Sequence, residues 1–400
     1  MPSFNPFRPS YQQDPYPSLA RIRAADPVSR SREPDGWLIA RHEDCRNVLR
    51  DNVRFSNDPT RGNGDLAQFV ATSRQHSPIG DTAIVGSSDP PVHTRLRSIV
   101  SRLFTTRTVE AARPRIRQLV DGLVDEATAT GRFELMRSVA RPLPSLIVGD
   151  LLGLTEDERQ PVRDWTRALM RVIGGGDLPS SAYREAEIAT QQLRDFLDRY
   201  SDTHEGEGTI LGELIAAEQD EDRLSLQETV AFVAFLYQAG SGPTSMMLGN
   251  AVHTLLRHPD QWQLLQQRPE LVRGAVVETL RWDSATHVLL RFVIEEHAIG
   301  RRRLEAGDTV FVSVAAAHRD PELFADPDRF DITRETDTGD ILSFGIGPHF
   351  CLGQPLALLQ ADELLAALAE RCPNLAVAPD GLNREQDLLL RGPQRLELTV

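Results

Sequence analysis

The sequence predicts a mainly helical protein with small β-sheets, and three observations predict it. Apolar residues three or four apart run through most of residues 109–224. A long apolar helical run then follows the capping signature Ser225-Leu226-Gln227-Glu228. Strand-like patterns are confined to short runs near residues 36–40, 288–293, 310–314 and 395–400. With 40% hydrophobic residues in 400, the chain can bury a large core, and length alone would allow two or three domains.

Residues 1–35 are rich in proline and aspartate and read as a surface wrap. Gly36-Trp37-Leu38-Ile39-Ala40 reads as a strand, and His42 to Arg50 as a helix. Residues 56–90 show little periodicity, and an irregular segment of that length is usually functional or mobile. Asp89-Pro90-Pro91 opens a helix carrying Ile99, Val100, Leu103 and Phe104, since proline is tolerated at a helix start. His93 and Arg97 lie four apart on one face of it. They are either a solvated pair or two donors aimed at an anion.

Between 109 and 224 the helical stripes include Leu119, Leu123 and Val124, then Leu193, Phe196 and Leu197. Breaks fall at Gly131, Pro142–Pro144, Gly174–Gly176 and Gly206–Gly208; the glycine triplet is a hinge or a plain helix–helix loop. The run from Ser225 continues to about His258, before Pro259, and is apolar on every face over 229–239, as a centrally buried helix would be. Ala239-Gly240-Ser241-Gly242-Pro243-Thr244-Ser245 interrupts it. Proline inside a helix removes a backbone bond and costs about 3 kcal/mol or more, so a fault here hints at function. A helix over 269–282 carries Glu278 and Arg281, three apart and able to pair. Arg291 sits in the strand-like run Val288–Val293, where an arginine is most often at the surface.

One stretch organises the rest: Phe344-Gly345-Ile346-Gly347-Pro348-His349-Phe350-Cys351-Leu352-Gly353-Gln354-Pro355-Leu356-Ala357. Gly345 and Gly347 allow tight turns and a close approach to a flat object. A helix beginning near Pro355 points its first amides toward the sulfur, and amide donors favour the thiolate, the form that binds metals. A lone cysteine is otherwise a small buried residue. Cys45 and Cys372 read as ordinary thiols, and three cysteines give neither a disulfide framework nor zinc or iron–sulfur spacing.

The stretch resembles the haem-binding loop of the cytochrome P450 family, Phe-Gly-x-Gly-x-His-x-Cys-x-Gly-x-x-Leu-Ala, and the resemblance runs from about residue 10 to the end. It implies a single domain over 1–400, mainly helical with small antiparallel sheets, holding haem b (iron protoporphyrin IX) with Cys351 as the iron ligand. Thiolate ligation favours O–O cleavage. The resemblance further implies propionate contacts from His93, Arg97, Arg291 and His349. Ala239, Gly240, Phe344, Gly345 and Gly353 would sit against the macrocycle, and His287, Val288 and Leu289 would line the nearby pocket. Residues 165–205 would be lid helices, and Glu278, Arg281 and Arg329 a structural network under the cysteine loop.

The distal helix departs from its relatives' Ala-Gly-x-acid-Thr pattern, since Gly242 and Pro243 stand where the acid and alcohol help deliver protons to dioxygen. Thr244 or Ser245 would relay the proton, or the substrate's own polar groups would order a water, or oxygen insertion is not the reaction. Thr244, Gly242 and Pro243 are therefore the candidate distal catalytic positions.

The implied activity is monooxygenation of a small organic substrate, of secondary-metabolite type. Electrons would come from a ferredoxin and its reductase, because the chain has no flavin or iron–sulfur segment. Arg95, Arg102 and Arg107 would greet that acidic partner or serve as surface charge. Peroxide-driven or non-inserting oxidation, and a non-catalytic haem protein, are the alternatives. A net charge of −14 excludes nucleic acid as the main partner. No apolar run of about 18 residues and no leader are read, so a cytoplasmic, membrane-free protein is expected.

Overall fold

The computed structural model describes residues 4–102, 104–173, 178–203, 209–216, 224–384 and 388–400. Its helices in chain order are α1 (Pro9–Gln13), α2 (Tyr16–Ala25), α3 (His42–Arg50), α4 (Asp65–Gln75), α5 (Val92–Ser101), α6 (Thr106–Thr128), α7 (Pro142–Leu152), α8 (Glu156–Ile173), α9 (Ser180–Thr203), α10 (Ile210–Ala216), α11 (Leu226–Arg257), α12 (Pro259–Gln267), α13 (Val272–Trp282), α14 (Val314–Ala317) and α15 (Gln354–Arg371). The strands are β1 (Val28–Arg32), β2 (Asp35–Ile39), β3 (Phe55–Ser56), β4 (Arg132–Glu134), β5 (Val288–Val293), β6 (His297–Ile299), β7 (Arg302–Leu304), β8 (Thr309–Ser313), β9 (Ala376–Arg384) and β10 (Pro393–Thr399). The glycine triplet 174–176, Gly206, Gly208 and Leu103 lie outside the described residues.

The chain divides into two compact units. The first comprises Met1–Phe55, Val109–Pro144 and Gly242–Val400. Its main sheet has the order β1-β2-β8-β5-β3. Val310 and Val312 of β8 face a cluster with Ile39, Cys45, Val48 and Leu49. Phe311, one residue out of phase, joins Leu19, Ile22, Leu38 and Val288. Both faces of β8 are therefore covered, which is why it reads as an unbroken apolar run rather than an alternation. β1 with β2 and β5 with β8 pair antiparallel, and β2 with β8 parallel. A second sheet, β4-β10-β9, is antiparallel, as is the β6-β7 hairpin.

The N-terminal segment is not a surface wrap. Phe4, Leu19 and Ile22 are fully buried in the second cluster, because apolar residues on α2 at three-residue spacing outweigh the surrounding prolines and aspartates.

Below the cysteine loop, a buried arginine ties the chain. Arg281 on α13 grips Glu278 through two bonds of 2.7 and 2.8 Å and donates to the carbonyls of His318, Pro327 and Arg329. The expected third member, Arg329, contributes only that carbonyl; its side chain is two-thirds exposed and pairs with Asp331. Arg334 reaches Glu278 instead, at 3.3 Å, and binds the carbonyls of Ala325, Asp326 and Arg329. Buried His318 accepts from the Leu342 amide at 2.7 Å, fixing the start of the loop that leads to Cys351.

The second unit comprises Ser56–Thr108 and Ser145–Ser241. Residues 56–90, expected to be irregular, contain α4 between two short 3-10 turns. Only Ala67 and Ser73 of α4 are buried, so the helix has too narrow an apolar stripe to be read from periodicity. Helices α8 and α9 pack together through Trp165, Phe196 and Tyr200, with ring centres 6.1 and 5.7 Å apart. Among the described residues no helix is long and apolar enough to cross a membrane.

Candidate active site

In the first unit the cysteine loop is set by two glycines with left-handed backbones, Gly345 at φ +68° and Gly347 at φ +76°. A Cβ on Gly347 would stand 3.2 Å from both the Arg50 Cα and the Leu49 carbonyl, so α3 backs the loop directly. A Cβ on Gly345 would meet only ordinary contacts, with the His349 carbonyl at 3.5 Å and Leu289 at 4.0 Å. Gly347–His349 form a 3-10 turn, and the Cys351 amide donates to the Phe344 carbonyl at 2.9 Å, closing the loop on itself. Gly353 caps α15, with Pro355 in its first turn. A Cβ at Gly353 would lie 3.9 Å from the Cys351 sulfur.

The three thiols differ in ways that decide their chemistry. Cys45 and Cys372 are sealed in the core, and burial pushes both thiols up, away from the reactive thiolate. Cys351 is only half-buried, just ahead of the helix whose first amides lack intrahelical partners. Among the described residues no group of three or more His, Cys, Asp or Glu side chains could hold a metal ion. A metal at Cys351 would therefore have to arrive with its other ligands, as iron does in a porphyrin. On donor chemistry and on the glycine-lined loop, these residues fit a haem.

Arg291 lies on β5, opposite Val310, and is buried rather than exposed. One of its amino groups donates to the Leu290 carbonyl at 2.8 Å. Its burial sets aside the surface role that the sequence alone would favour. His349 stands half-buried in the turn before the cysteine. Of the residues expected beside the pocket, Leu289 does approach Gly345. Val288 instead belongs to the core. His287 is turned into a buried ionic cluster, 3.9 Å from Asp283, where burial holds its imidazole down to about 4 and so neutral.

The distal positions Gly242, Pro243 and Thr244 lie on α11, which runs without interruption through Pro243. The interruption expected at Ala239–Ser245 does not occur. Having no amide hydrogen, Pro243 leaves the Ala239 carbonyl without its helical donor. The Ser245 hydroxyl donates to Gly242, at 2.8 Å. Thr244 is buried and donates to no carbonyl among the described residues.

The second unit holds His93, Arg97, Ala239 and Gly240. His93 is buried on α5, and burial, then the Arg97 charge one turn on, lowers its pKa. A Cβ on Gly240 would press on Val148, at 2.8 Å. The capping box at the head of α11 forms as expected: the Ser225 amide donates to Glu228 at 2.8 Å and the Glu228 amide to the Ser225 hydroxyl at 3.2 Å. Glu228 also binds Arg95, so that arginine is committed within the unit, while Arg102 and Arg107 are exposed. Sequence reasoning missed Arg334 and the α3 backing of Gly347; neither carries a local signal.

A half-buried thiol in a glycine loop at the head of a helix defines a haem-thiolate protein, and comparison with known proteins agrees. The cytochrome P450 family model matches residues 178–399. The chain is 39% identical to cytochrome P450 monooxygenase PikC of Streptomyces venezuelae, over 97% of this chain and 91% of that protein. It is 35% identical to 6-deoxyerythronolide B hydroxylase of Saccharopolyspora erythraea, over 98% and 97%. Among solved structures it superposes on epothilone D-bound cytochrome P450epoK with a TM-score of 0.89 at 27% identity, covering 99% and 98% of the two chains. It superposes on CalO2 with a TM-score of 0.87 at 32% identity, covering 100% and 99%. The protein is a haem-thiolate oxidising enzyme. It belongs to the cytochrome P450 family, whose cofactor is haem b.

Proposed function

We propose that the protein is a cytoplasmic monooxygenase of secondary metabolism. It would oxidise a small organic substrate of polyketide or related type with dioxygen and electrons from a ferredoxin and its reductase. The single observation that carries the site is the half-buried Cys351 thiol, held by the Phe344 carbonyl bond ahead of α15. Haem bound there supplies the oxygen-activating chemistry. Cys351 holds the metal as a thiolate. Phe344, Gly345 and Gly353, and on α11 Ala239 and Gly240, would leave room for the macrocycle. His93, Arg97, Arg291 and His349 neutralise the propionates. The similarity to PikC, to 6-deoxyerythronolide B hydroxylase and to "Polyketide biosynthesis cytochrome P450 PksS" of Bacillus subtilis supports the substrate class.

Proton delivery departs from an acid–alcohol pair, since Gly242 and Pro243 can hold no proton on a side chain. The Ala239 carbonyl lacks the helical donor that an amide at position 243 would supply. A water there, or a hydroxyl of the substrate, would be oriented by that carbonyl and by Thr244, and would pass the proton.

The test is spectroscopic. The reduced protein treated with carbon monoxide should show the red-shifted Soret band of thiolate ligation, and Cys351→Ala should abolish it. Persistence of the band in the variant removes Cys351 as the ligand. Turnover with hydrogen peroxide but none with reduced ferredoxin would replace the ferredoxin reading with a peroxide-driven one.

A further inference from the structure

The first unit contains a second concavity, a cleft of about 510 Å³ that shares no lining residue with the cysteine loop. Four arginines from separate parts of the chain meet on its walls: Arg257 near the end of α11, Arg319 after α14, Arg384 at the end of β9, and Arg391 before β10. Three carboxylates line the cleft with them, Asp14, Asp283 and Asp328, one fewer than the arginines. Asp283, buried at the floor, is shared by two of them, 2.9 Å from Arg384 and 3.5 Å from Arg391. Arg319 pairs with Asp328, but that carboxylate is 78% exposed and screened by water. Arg257 is exposed and makes no ion pair with a described residue.

The surroundings carry the mark of surplus positive charge. Burial opposes ionisation of Asp283, yet Arg384, then the His287 bond and Arg391, hold it well below the usual carboxylate range. His253, beside Arg384, is held down to about 4 by burial and by that guanidinium, so it stays neutral and adds no compensation of either sign. Arg391 is itself lowered, first by burial. Its guanidinium is fixed by the carbonyls of Gln12 and Gln13, and Arg319 is sandwiched between the Tyr16 and Trp282 rings, 4.0 and 3.5 Å from their centres. Arg319 and Arg391, and Arg384 through Asp283 and the Asn250 side chain, are held in place before any ligand arrives, which leaves Arg257 at the rim as the one to be ordered on binding. Rigid arginine forks converging from several sides match an oxyanion with acceptor atoms in several directions. The volume leaves room for an organic remainder.

We propose that this cleft is a binding site for a small organic molecule carrying a multiply charged oxyanion, either a phosphate ester or a polycarboxylate. Arg257 and Arg384 are its main contacts.

Titration calorimetry of the haem-loaded protein with inorganic pyrophosphate and, separately, citrate tests this. The chain carries a net charge of −14, so an anion binds it saturably only where the local charge is reversed. Saturable one-to-one binding of either probe below about 1 mM is expected, roughly tenfold weaker in Arg257→Gln. Arg302→Gln, an exposed arginine paired with Asp26 elsewhere on the surface, should leave it unchanged. Tighter pyrophosphate binding identifies the phosphate class; tighter citrate binding identifies the polycarboxylate class. No saturable binding of either probe up to 10 mM, or equal losses in Arg257→Gln and Arg302→Gln, overturns the proposal. The thiolate Soret band, read on the same samples, keeps this outcome separate from that of the haem site.

Discussion

Replacing Arg334 with alanine should be far more damaging than replacing Arg329, although Arg329 is the residue the sequence nominates. Only about one-seventh of the Arg334 side chain is exposed, and it makes four hydrogen bonds: one to the Glu278 carboxylate, itself 1% exposed, and three to backbone carbonyls. Removing one partner of such a buried network leaves charge and carbonyls unanswered, at about 3–5 kcal/mol. Unfolding 400 residues carries an entropy of roughly 0.8 kcal/mol/K, from about 2.1 cal/mol/K per residue. The loss therefore lowers the melting temperature by about 4–6 °C. The Arg329 side chain is 67% exposed, and its Asp331 pair is worth at most a few tenths of a kcal/mol after screening. Its Tm shift should stay within about 1 °C. Because residues 325–342 lead into the cysteine loop, Arg334→Ala should also lower the haem-to-protein absorbance ratio after purification. Differential scanning calorimetry on matched preparations decides it. Equal shifts for the two variants would refute the assignment of Arg334 to the network.

Three further outcomes follow from the same geometry. Gly347→Ala combines a φ of +76° with a Cβ 3.2 Å from the α3 backbone and should lose about 2–3 kcal/mol and most bound haem. Gly345→Ala, at φ +68° and ψ −173° in a region open almost only to glycine, should lose about 1–3 kcal/mol without any clash with α3, and chemical denaturation with haem quantification measures both. Stability should fall as pH drops from 7 to 5. His253 and His287 are held down to about 4 and His318 to about 3, chiefly by burial, so below about 6.5 only the unfolded chain takes up their protons. Asp362, pushed up to about 6 by burial, works in the opposite sense and offsets one of the three, leaving a net uptake of about two protons on unfolding near pH 5. A flat profile of unfolding free energy between pH 7 and 5 would contradict this. Thr244→Ala should slow oxygen-driven turnover and divert electrons to hydrogen peroxide, measured as peroxide per NAD(P)H consumed; unchanged coupling removes Thr244 from the relay.

What was legible in the sequence is what local chemistry dictates. The Cys351 loop needs its glycines, α11 announces itself by the Ser225–Glu228 box, and β5, β8 and α3 follow their apolar runs within a residue. What was not legible depends on backbone acceptors and on partners distant in the chain. Arg329 and Arg334 look alike in sequence. Only the folded meander shows that one lends a carbonyl while the other lends its guanidinium. His287 sits one residue before a strand that approaches the cysteine loop, yet, outside the strand's alternation, it packs toward Asp283 and the Tyr16 ring, partners distant or invisible in the local pattern. The Phe4–Ile22 segment was misjudged because composition was weighed above spacing.

Pro243 illustrates the same conflict at the place where function enters. Taken alone, a helix-interior proline costs about 3 kcal/mol and should break α11. The turns that follow bury Met246, Met247, Leu248, Val252 and Leu255, each contributing about 1.5–3 kcal/mol when withdrawn from water. The packing therefore outweighs the fault several times over, and the helix stays intact. An intact helix has a consequence that a broken one would not. The Ala239 carbonyl, which loses the donor an amide at position 243 would supply, stays on a continuous helix instead of passing into a loop. Replacing an acid and an alcohol by glycine and proline thus exchanges two side-chain proton carriers for one fixed acceptor. On the proposed reading, the missing donor must then be brought by water or substrate. Coupling should therefore depend on substrate structure more steeply than in a relative that retains both side chains.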